Sequence, residues 1–475
     1  MPRHWMLVVL CSFVAVPFLA SAQTGCLNAA ESGKMLCTIP ALFNSNALQM
    51  QNVNSQALGV APFQNTLPES VAALNTSIAR QTALVPLAAP ASGITFAWNP
   101  TSLTFVPTND SFGPVLTERA DTIGKYRLYI GFGYQYFNFS SNDGVSLKAL
   151  PALFTQPDTP ASNINGGTTC SLNPPDSINN LGDCGFIRDV MKTTSRLDLK
   201  LHQFTTFISF GLTNRIDLSV AIPIESVRMG FSTDATIVNV SNSGVHQFAD
   251  RPGCSPCLTA SASTSNSAAG IGDITVRIKG TAWKGEKSGV ALGADIRVPT
   301  GDALNYLGAG AAGVTPFVVW SYHARVSPHA FVGYQVNGSS IVAGDINTGI
   351  KARLPGEFMY SAGVDTWVTK RLSVAADLIG QEVFQAQRFE RSGLTEPEQC
   401  DNSQSTCGGV ITSPPPPTDP NLAIISGSYN ATSLSVGAKF KLYGNLLLTG
   451  NALIKVNNGG LRAKVVPWIQ LSYTF

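Results

Sequence analysis

The last fifteen residues constrain the fold more tightly than any other stretch. Leu461 to Phe475 reads LRAKVVPWIQLSYTF, and every second residue (Leu461, Ala463, Val465, Pro467, Ile469, Leu471, Tyr473, Phe475) belongs to an apolar set that can face lipid. Between them lies a more polar set: Arg462, Lys464, Val466, Trp468, Gln470, Ser472 and Thr474. Period two is the mark of a strand with unlike faces. The closing strand of a β-sandwich has the same pattern. The terminal aromatics Tyr473 and Phe475 fit better the closing strand of an outer-membrane β-barrel, where lipid-facing and lumen-facing side chains alternate and aromatics gather at the interfaces.

Composition agrees. Charged residues are 13% of the 475, against about a quarter in ordinary soluble proteins. Yet no stretch after the first twenty residues is apolar for the roughly 20 positions that a spanning helix needs. The balance of 31 Lys+Arg against 29 Asp+Glu lacks the basic surplus of a general nucleic-acid binder. Residues 1–22 combine Arg3 and His4, an apolar run from Trp5 to Leu19 and the small-residue site Ala20-Ser21-Ala22, the pattern of a secretory signal peptide. Cys11 leaves with it. The remaining cysteines fall as close neighbours, Cys26/Cys37, Cys170/Cys184, Cys254/Cys257 and Cys400/Cys407, which in an exported chain reads as local disulfide staples. Cys254-Ser255-Pro256-Cys257 is open to a redox or half-zinc reading as well, although no second such motif accompanies it.

Residues 23–124 lack sustained alternation. Thr66-Leu67-Pro68-Glu69 resembles a capping box, and Val71, Leu74 and Ile78 share one helical face, so a short helix is expected near 67–82. Two brief strand-like runs follow at Ile94 to Trp98 and Leu103 to Val106. This N-terminal segment is either a plug that enters the barrel from the periplasm or a periplasmic extension. From Lys125 the pattern becomes strand-like, and 125–475 reads as an all-β, antiparallel, up-and-down transmembrane barrel of about twelve strands. Short turns at 213–215, 284–288, 325–328, 368–371 and 443–445 alternate with long loops at 140–188, 232–269, 300–313, 339–356 and 385–427, with a short one at 457–460. That asymmetry is the barrel pattern of short periplasmic turns and longer outer loops. At one place the alternation slips: Leu197, Leu199 and Leu201 give way to Phe204, Thr206, Ile208 and Phe210, which predicts a bulge near His202 and Gln203.

The predicted lumen face carries Arg127, Asp273, Arg277, Asp295, Arg297, Lys439, Lys441, Lys455, Arg462 and Lys464. The last five occupy a stretch, from Gly427 on, without Asp or Glu, and a one-signed wall would favour anions. Pairing with acids such as Asp295, Asp365 or Asp377 is the alternative, and the Lys284 to Ser288 turn sets Arg277 opposite Asp295. Gly308 to Gly313 fits the dinucleotide pattern GxGxxG but leads into strand-like residues instead of a helix, so it is no phosphate cradle. His202, His246, His323 and His329 come without a nucleophile motif, and no catalytic residue, metal or cofactor is implied.

The segment GIGDITVRIKGTAWKGEKSGVALGADIRVPTGDALNYLGAG and the later HAFVGYQVNG resemble outer-membrane channels associated with the meta-pathway of phenol degradation. These are distantly like long-chain fatty-acid channels. The residues that carry the likeness are Gly272-Asp273-Ile274-Thr275, Pro299-Thr300-Gly301-Asp302, Leu307-Gly308 and Gly333-Tyr334. FGPVLTERADTIGKYRLYIGFGYQYF is also similar to the stretch leading into the first strand of such proteins, so the likeness spans about Phe112 to Gln381. It implies passive uptake of small hydrophobic or aromatic compounds; the basic lumen wall adds amphipathic and anionic ones to the expectation. The expected location is the Gram-negative outer membrane, with the long loops outside. Expected partners are membrane lipid and lipopolysaccharide, the barrel-assembly machinery, which would read Tyr473 and Phe475, and a small solute. The rival expectation is a structural or adhesive barrel whose stapled loops bind partners.

Overall fold

The computed structural model describes Cys26, Asn28 and residues 31–44, 50–51, 96–99, 104–107, 112–154, 190–238, 247–248, 252–255, 257–346, 348–395 and 418–475. Twelve antiparallel strands close on themselves. They are β1 (Leu128–Asn142), β2 (Val190–Gly211), β3 (Ile216–Val238), β4 (Ile274–Lys284), β5 (Ser288–Val298), β6 (Gly313–Tyr322), β7 (Val326–Asn337), β8 (Glu357–Thr369), β9 (Leu372–Thr395), β10 (Thr418–Tyr443), β11 (Leu446–Lys455) and β12 (Val465–Thr474). Each pairs with its neighbour in sequence, and β12 returns to β1 with Leu471 opposite Phe132 and Phe475 N–H donating to Leu128 O. Closure removes the unpaired edges that a lipid environment would not tolerate.

Side-chain polarity is inverted relative to a water-soluble protein. Around the outside, Phe132, Ile224, Leu292, Val314, Val364, Leu378, Val436 and Ile469 stand exposed, whereas Gln135, Asp217, Lys279, His329, Asp365, Asp377, Gln470 and Thr474 are buried within. Such a belt can be stable only in lipid, and the interior must then satisfy its own polar groups. In β12 alternation holds from Val465 onward, but Leu461 and Ala463 are buried instead of facing outward. Around Ala463 the register against β1 shifts: Arg462 pairs with Ser141 and Ala463 with Phe139. The shift passes over Ser140 on β1, and Lys464 falls at a bend between the two paired stretches, where it is exposed at the outer surface instead of lining the lumen as expected.

No bulge interrupts β2. Its register against β1 and β3 is continuous through His202 and Gln203. Odd-numbered residues face inward from Thr193 to Gly211; what changes is the surroundings. Toward the short-turn end the inward residues are polar (Gln203, Thr205, Ser209) and the outward ones apolar (Phe204, Ile208, Phe210). Toward the long-loop end the inward residues are Leu197, Leu199 and Leu201, at 2%, 0% and 0% exposure, and Asp198 and Lys200 face out. β3 repeats the exchange, with Asp217, Ser219 and Glu225 followed inward by Val227, Met229 and Phe231. The sequence pattern slips because the two faces exchange character: toward the long-loop end the inward side chains join an apolar core and charged ones turn outward.

The same logic explains strands longer than expected. β2, β3, β9 and β10 have 22, 23, 24 and 26 residues, where a tilted crossing needs about 9–11. Segments expected as loops from Ser232 and Gln385 therefore continue as strand to Val238 and Thr395, and polar Thr259–Ile271 pairs along β3. Without lipid to demand apolar side chains, backbone pairing alone keeps these stretches extended. Leu150–Phe154 runs along β2 and meets β10 through Leu153 N–H to Asn421 Oδ1 at 3.2 Å, beside a Lys192–Asp419 ion pair of 2.7 Å.

The long-loop end is capped. Helix α1 (Met35–Asn44) buries Met35, Leu36, Ile39 and Leu42, one face at helical spacing. Met35 N–H donates to Asn305 Oδ1 at 3.0 Å, Lys34 pairs with Asp302 at 2.7 Å, and Asn266 donates to Thr38 Oγ1 at 2.9 Å. Donating to the Asp302 carboxylate raises the Lys34 pKa. Cys26–Cys37 is a disulfide that ties the start of this segment to the helix, and Cys254–Cys257 is a second at the same end. Cys170, Cys184, Cys400 and Cys407, like the helix expected near 67–82 and the signal peptide, lie outside the described residues. Phe96–Asn99 and Thr104–Pro107 form a hairpin near the expected strand-like runs.

Candidate functional site

Residues 112–124 cross the barrel interior near the short-turn end. Phe112 N–H donates to Ser373 Oγ at 3.1 Å on β9, and Lys439 Nζ on β10 donates to Phe112 O at 3.1 Å. Across the lumen, Ile123 N–H donates to Asp217 Oδ2 at 2.9 Å on β3. The segment leaves against β2, where a Cβ on Gly211 would stand 1.9 Å from Gly124 O, so only glycine admits this approach.

Every charge on the segment meets an opposite charge on the wall. Glu118 lies 3.1 Å from Arg277 and 3.5 Å from Lys279; Arg119 pairs with Asp365; Asp121 lies 3.2 Å from His323 and 4.0 Å from Lys284. Lys279 also donates to the carbonyls of Arg119 and Asp121, at 3.1 and 2.8 Å. Ala120 N–H is accepted by Ser321 Oγ, and Thr117 Oγ1 donates to Asp377. Buried groups thus fix the segment by complementarity that any displacement would break.

His329, which comes without a nucleophile motif in the sequence, is 2% exposed and part of this network. Its Nε2 lies 2.5 Å from Asp377 and its Nδ1 3.3 Å from Asp365, with Thr117 Oγ1 at 3.0 Å. Thr, His and Asp within reach resemble a nucleophile triad. The Thr117 hydroxyl donates to Asp377 Oδ1 at 3.1 Å, however, so its proton is directed at a carboxylate and the same carboxylate occupies His329 Nε2. The arrangement is an anchor for the segment, not a base.

Above the segment lies a cavity of about 180 Å³. Leu116, Thr117 and Glu118 form its floor side; Phe137, Phe139, Phe331, Met359 and Ile379 supply apolar wall; Arg277, Asp295, Arg297 and Arg462 supply charge. Arg277 donates to both Asp295 oxygens, at 2.6 and 2.7 Å, and to Glu118 at 3.1 Å. Arg297 donates to Asn337 Oδ1 at 2.8 Å. Asp273 sits at the break between Thr259–Ile271 and β4, where it accepts from Gly301 N at 3.0 Å and Ala309 N at 2.8 Å, so its role is to hold the 299–312 loop.

The five cations expected as one wall are dispersed. Lys439 and Lys441 stand toward the short-turn end, and Lys439 is engaged by Phe112. Lys455 pairs in register with Ser433, six positions along β10 from Lys439, a separation of roughly 20 Å at about 3.4 Å per residue. It donates to Asn458 Oδ1 at 2.9 Å. Arg462 reaches the cavity and Lys464 the outer surface. Arg127 is half-buried below the crossing segment, its carbonyl accepting from Gly211 N. Sequence reasoning missed the crossing residues Thr117 to Asp121, although the charge-dense TERAD in a chain so poor in charge was a usable signal.

The fold and site together define an outer-membrane-type β-barrel channel with a segment lodged across its lumen. Residues 190–379, from β2 into β9, match the family described as putative MetA-pathway of phenol degradation, and the Gly272 to Thr275 and Pro299 to Asp302 motifs fall inside that match. No curated protein gives a significant sequence match. Among solved structures, the chain is similar to an outer-membrane channel from Pseudomonas putida F1 (12% identity, 76% of this chain and 99% of that one, TM-score 0.41). It is similar also to a FadL homologue of Pseudomonas aeruginosa (12% identity, 88% and 99%, TM-score 0.30). A third likeness is to the toluene transporter TbuX of Ralstonia pickettii (11% identity, 82% and 98%, TM-score 0.26).

Proposed function

We propose that this protein is a passive outer-membrane channel for small hydrophobic or amphipathic compounds, and that residues 112–124 are its gate in the closed position. The observation that carries the reading is a mixed apolar and charged cavity enclosed within a lipid-facing barrel, between a charge-matched crossing segment and an apolar cap. A solute-sized space in a barrel needs no chemistry from the wall; it needs a path that opens. In this reading the short turns face the periplasm and the long loops the exterior. Helix α1 then sits on the outer side although it precedes the barrel, and Phe475 lies at the periplasmic rim where assembly machinery meets it. Lipid and lipopolysaccharide surround the belt.

Solute-driven swelling of liposomes that carry the full chain, or a variant with the Arg119–Asp365 pair broken, tests the reading. Faster swelling in the variant is expected. Absence of flux in both would sink the channel and favour a structural or adhesive barrel, for which the two disulfides at the capped end are the supporting feature.

A further inference from the structure

We propose that the lumen cavity binds small aromatic carboxylates, and that Arg462 is the residue that holds the carboxylate. This deepens the channel reading and rests on it. Three guanidinium groups line the cavity, against the acids Glu118 and Asp295. Arg277 is saturated by both of those acids. Arg297 is committed to Asn337 and lies 3.8 Å from Asp273. Arg462 differs in kind. It is 9% exposed, and its Nη2 donates only to neutral acceptors, Thr432 O and Ser433 Oγ, both at 2.6 Å. Among the described residues no carboxylate lies within 4.0 Å of it, which sets it apart from Arg277 and Arg297, and its Nε, like that of Arg297, is buried without an acceptor.

A guanidinium has five N–H donors in a planar fork that matches a carboxylate. Buried without a counter-charge it is costly, and an anionic ligand removes that cost. The wall beside it is apolar: Leu461, Ala463 and Val466 on the same chain segment, Phe139 opposite Ala463, and Phe137 whose ring stacks on Phe139 at 5.7 Å. A fixed cation next to flat apolar surface recognises one ring that bears one acid group. Size agrees, since the cavity of about 180 Å³ is close to the roughly 150 Å³ that accommodates benzene in an apolar protein interior. The local irregularity at Ala463 is what presents Arg462, Leu461 and Ala463 together to this space.

Equilibrium dialysis of the detergent-solubilised full chain against radiolabelled benzoate and its neutral isostere benzamide tests the assignment. The wild type is expected to bind benzoate more tightly than benzamide. Arg462→Gln should weaken benzoate at least tenfold and leave benzamide within twofold, Arg462→Lys should retain part of the benzoate affinity, and Lys464→Gln on the outer surface should match the wild type. Equal binding of benzoate by wild type and Arg462→Gln overturns the proposal, as does equal binding of the two ligands by the wild type. Wild type that binds neither ligand, yet conducts neutral solutes through liposomes, overturns the subsite alone. Benzoate binding through Arg462 with no flux in any form supports the subsite and overturns the channel.

Discussion

Replacing Arg119 by Met should loosen the crossing segment and open the lumen. Arg119 is 2% exposed and its partner Asp365 is 1% exposed. Removing one member of a buried pair leaves the other charge uncompensated, at a cost of about 3–5 kcal/mol. Asp365 keeps His329 Nδ1 at 3.3 Å, which places the loss near the low end, about 3 kcal/mol. In the displaced state both groups would be hydrated and make no use of each other, so the whole loss falls on the closed state. At 1.4 kcal/mol per decade, the open-to-closed ratio should rise about a hundredfold. Open probability in planar bilayers reads this directly, and barrel integrity is checked by the mobility of unheated samples on SDS gels. The double variant Arg119→Met with Asp365→Asn, which buries no unpaired charge, should return toward wild-type closure. The reasoning is refuted if Arg119→Met, in a folded barrel, opens no more often than wild type, or if the double variant is as open as the single one.

Ile208 and Asp198 share the outer face of β2, yet Ile208→Lys should destabilise the barrel by roughly 2–4 kcal/mol, as a cation in the lipid belt does, and Asp198→Lys should change it by less than about 0.5 kcal/mol. Urea titration in lipid bilayers would show it, and equal costs would place Asp198 in lipid too. Cys37→Ser should release about 3 kcal/mol of loop constraint, from a sequence separation of 11 residues; faster hydrogen exchange confined to Met35–Leu42 is the expected sign, and unchanged exchange there would contradict the cap. Phe475 is 57% exposed at the short-turn rim and its ring meets Tyr473 edge-on at 4.6 Å. Phe475→Ser should lower the fraction of folded barrel recovered from cells while leaving purified barrel stable, and an unaltered yield would remove Phe475 from assembly.

How much was legible in the sequence follows from the range of each interaction. The twelve strands, the closure of the last on the first, and Arg277 opposite Asp295 all rest on period-two alternation and on turns too short to allow another register. These are local, and the chain carries them in consecutive residues. Alternation reports only that a strand has two unlike faces, not which of them meets lipid. Leu199 and Phe204 therefore look like one apolar face slipping phase, when the strand is unbroken and the apolar side chains pass from the inner face to the outer one between them. Lys464 looks like a lumen cation because the bend at that residue, between two stretches paired to β1, is invisible without the partner strand. Thr117 to Asp121 look like a polar lead-in, since the residues that answer them are spread over strands from Asp217 to Lys439 and meet only when the barrel closes. The sequence by itself determined the barrel and its lipid-facing belt, because backbone pairing in lipid permits little else. Only the tertiary structure decided which segment crosses the lumen, which guanidinium there has no acid beside it among the described residues, and where the inward side chains turn apolar, because each depends on groups that stand across the barrel from one another.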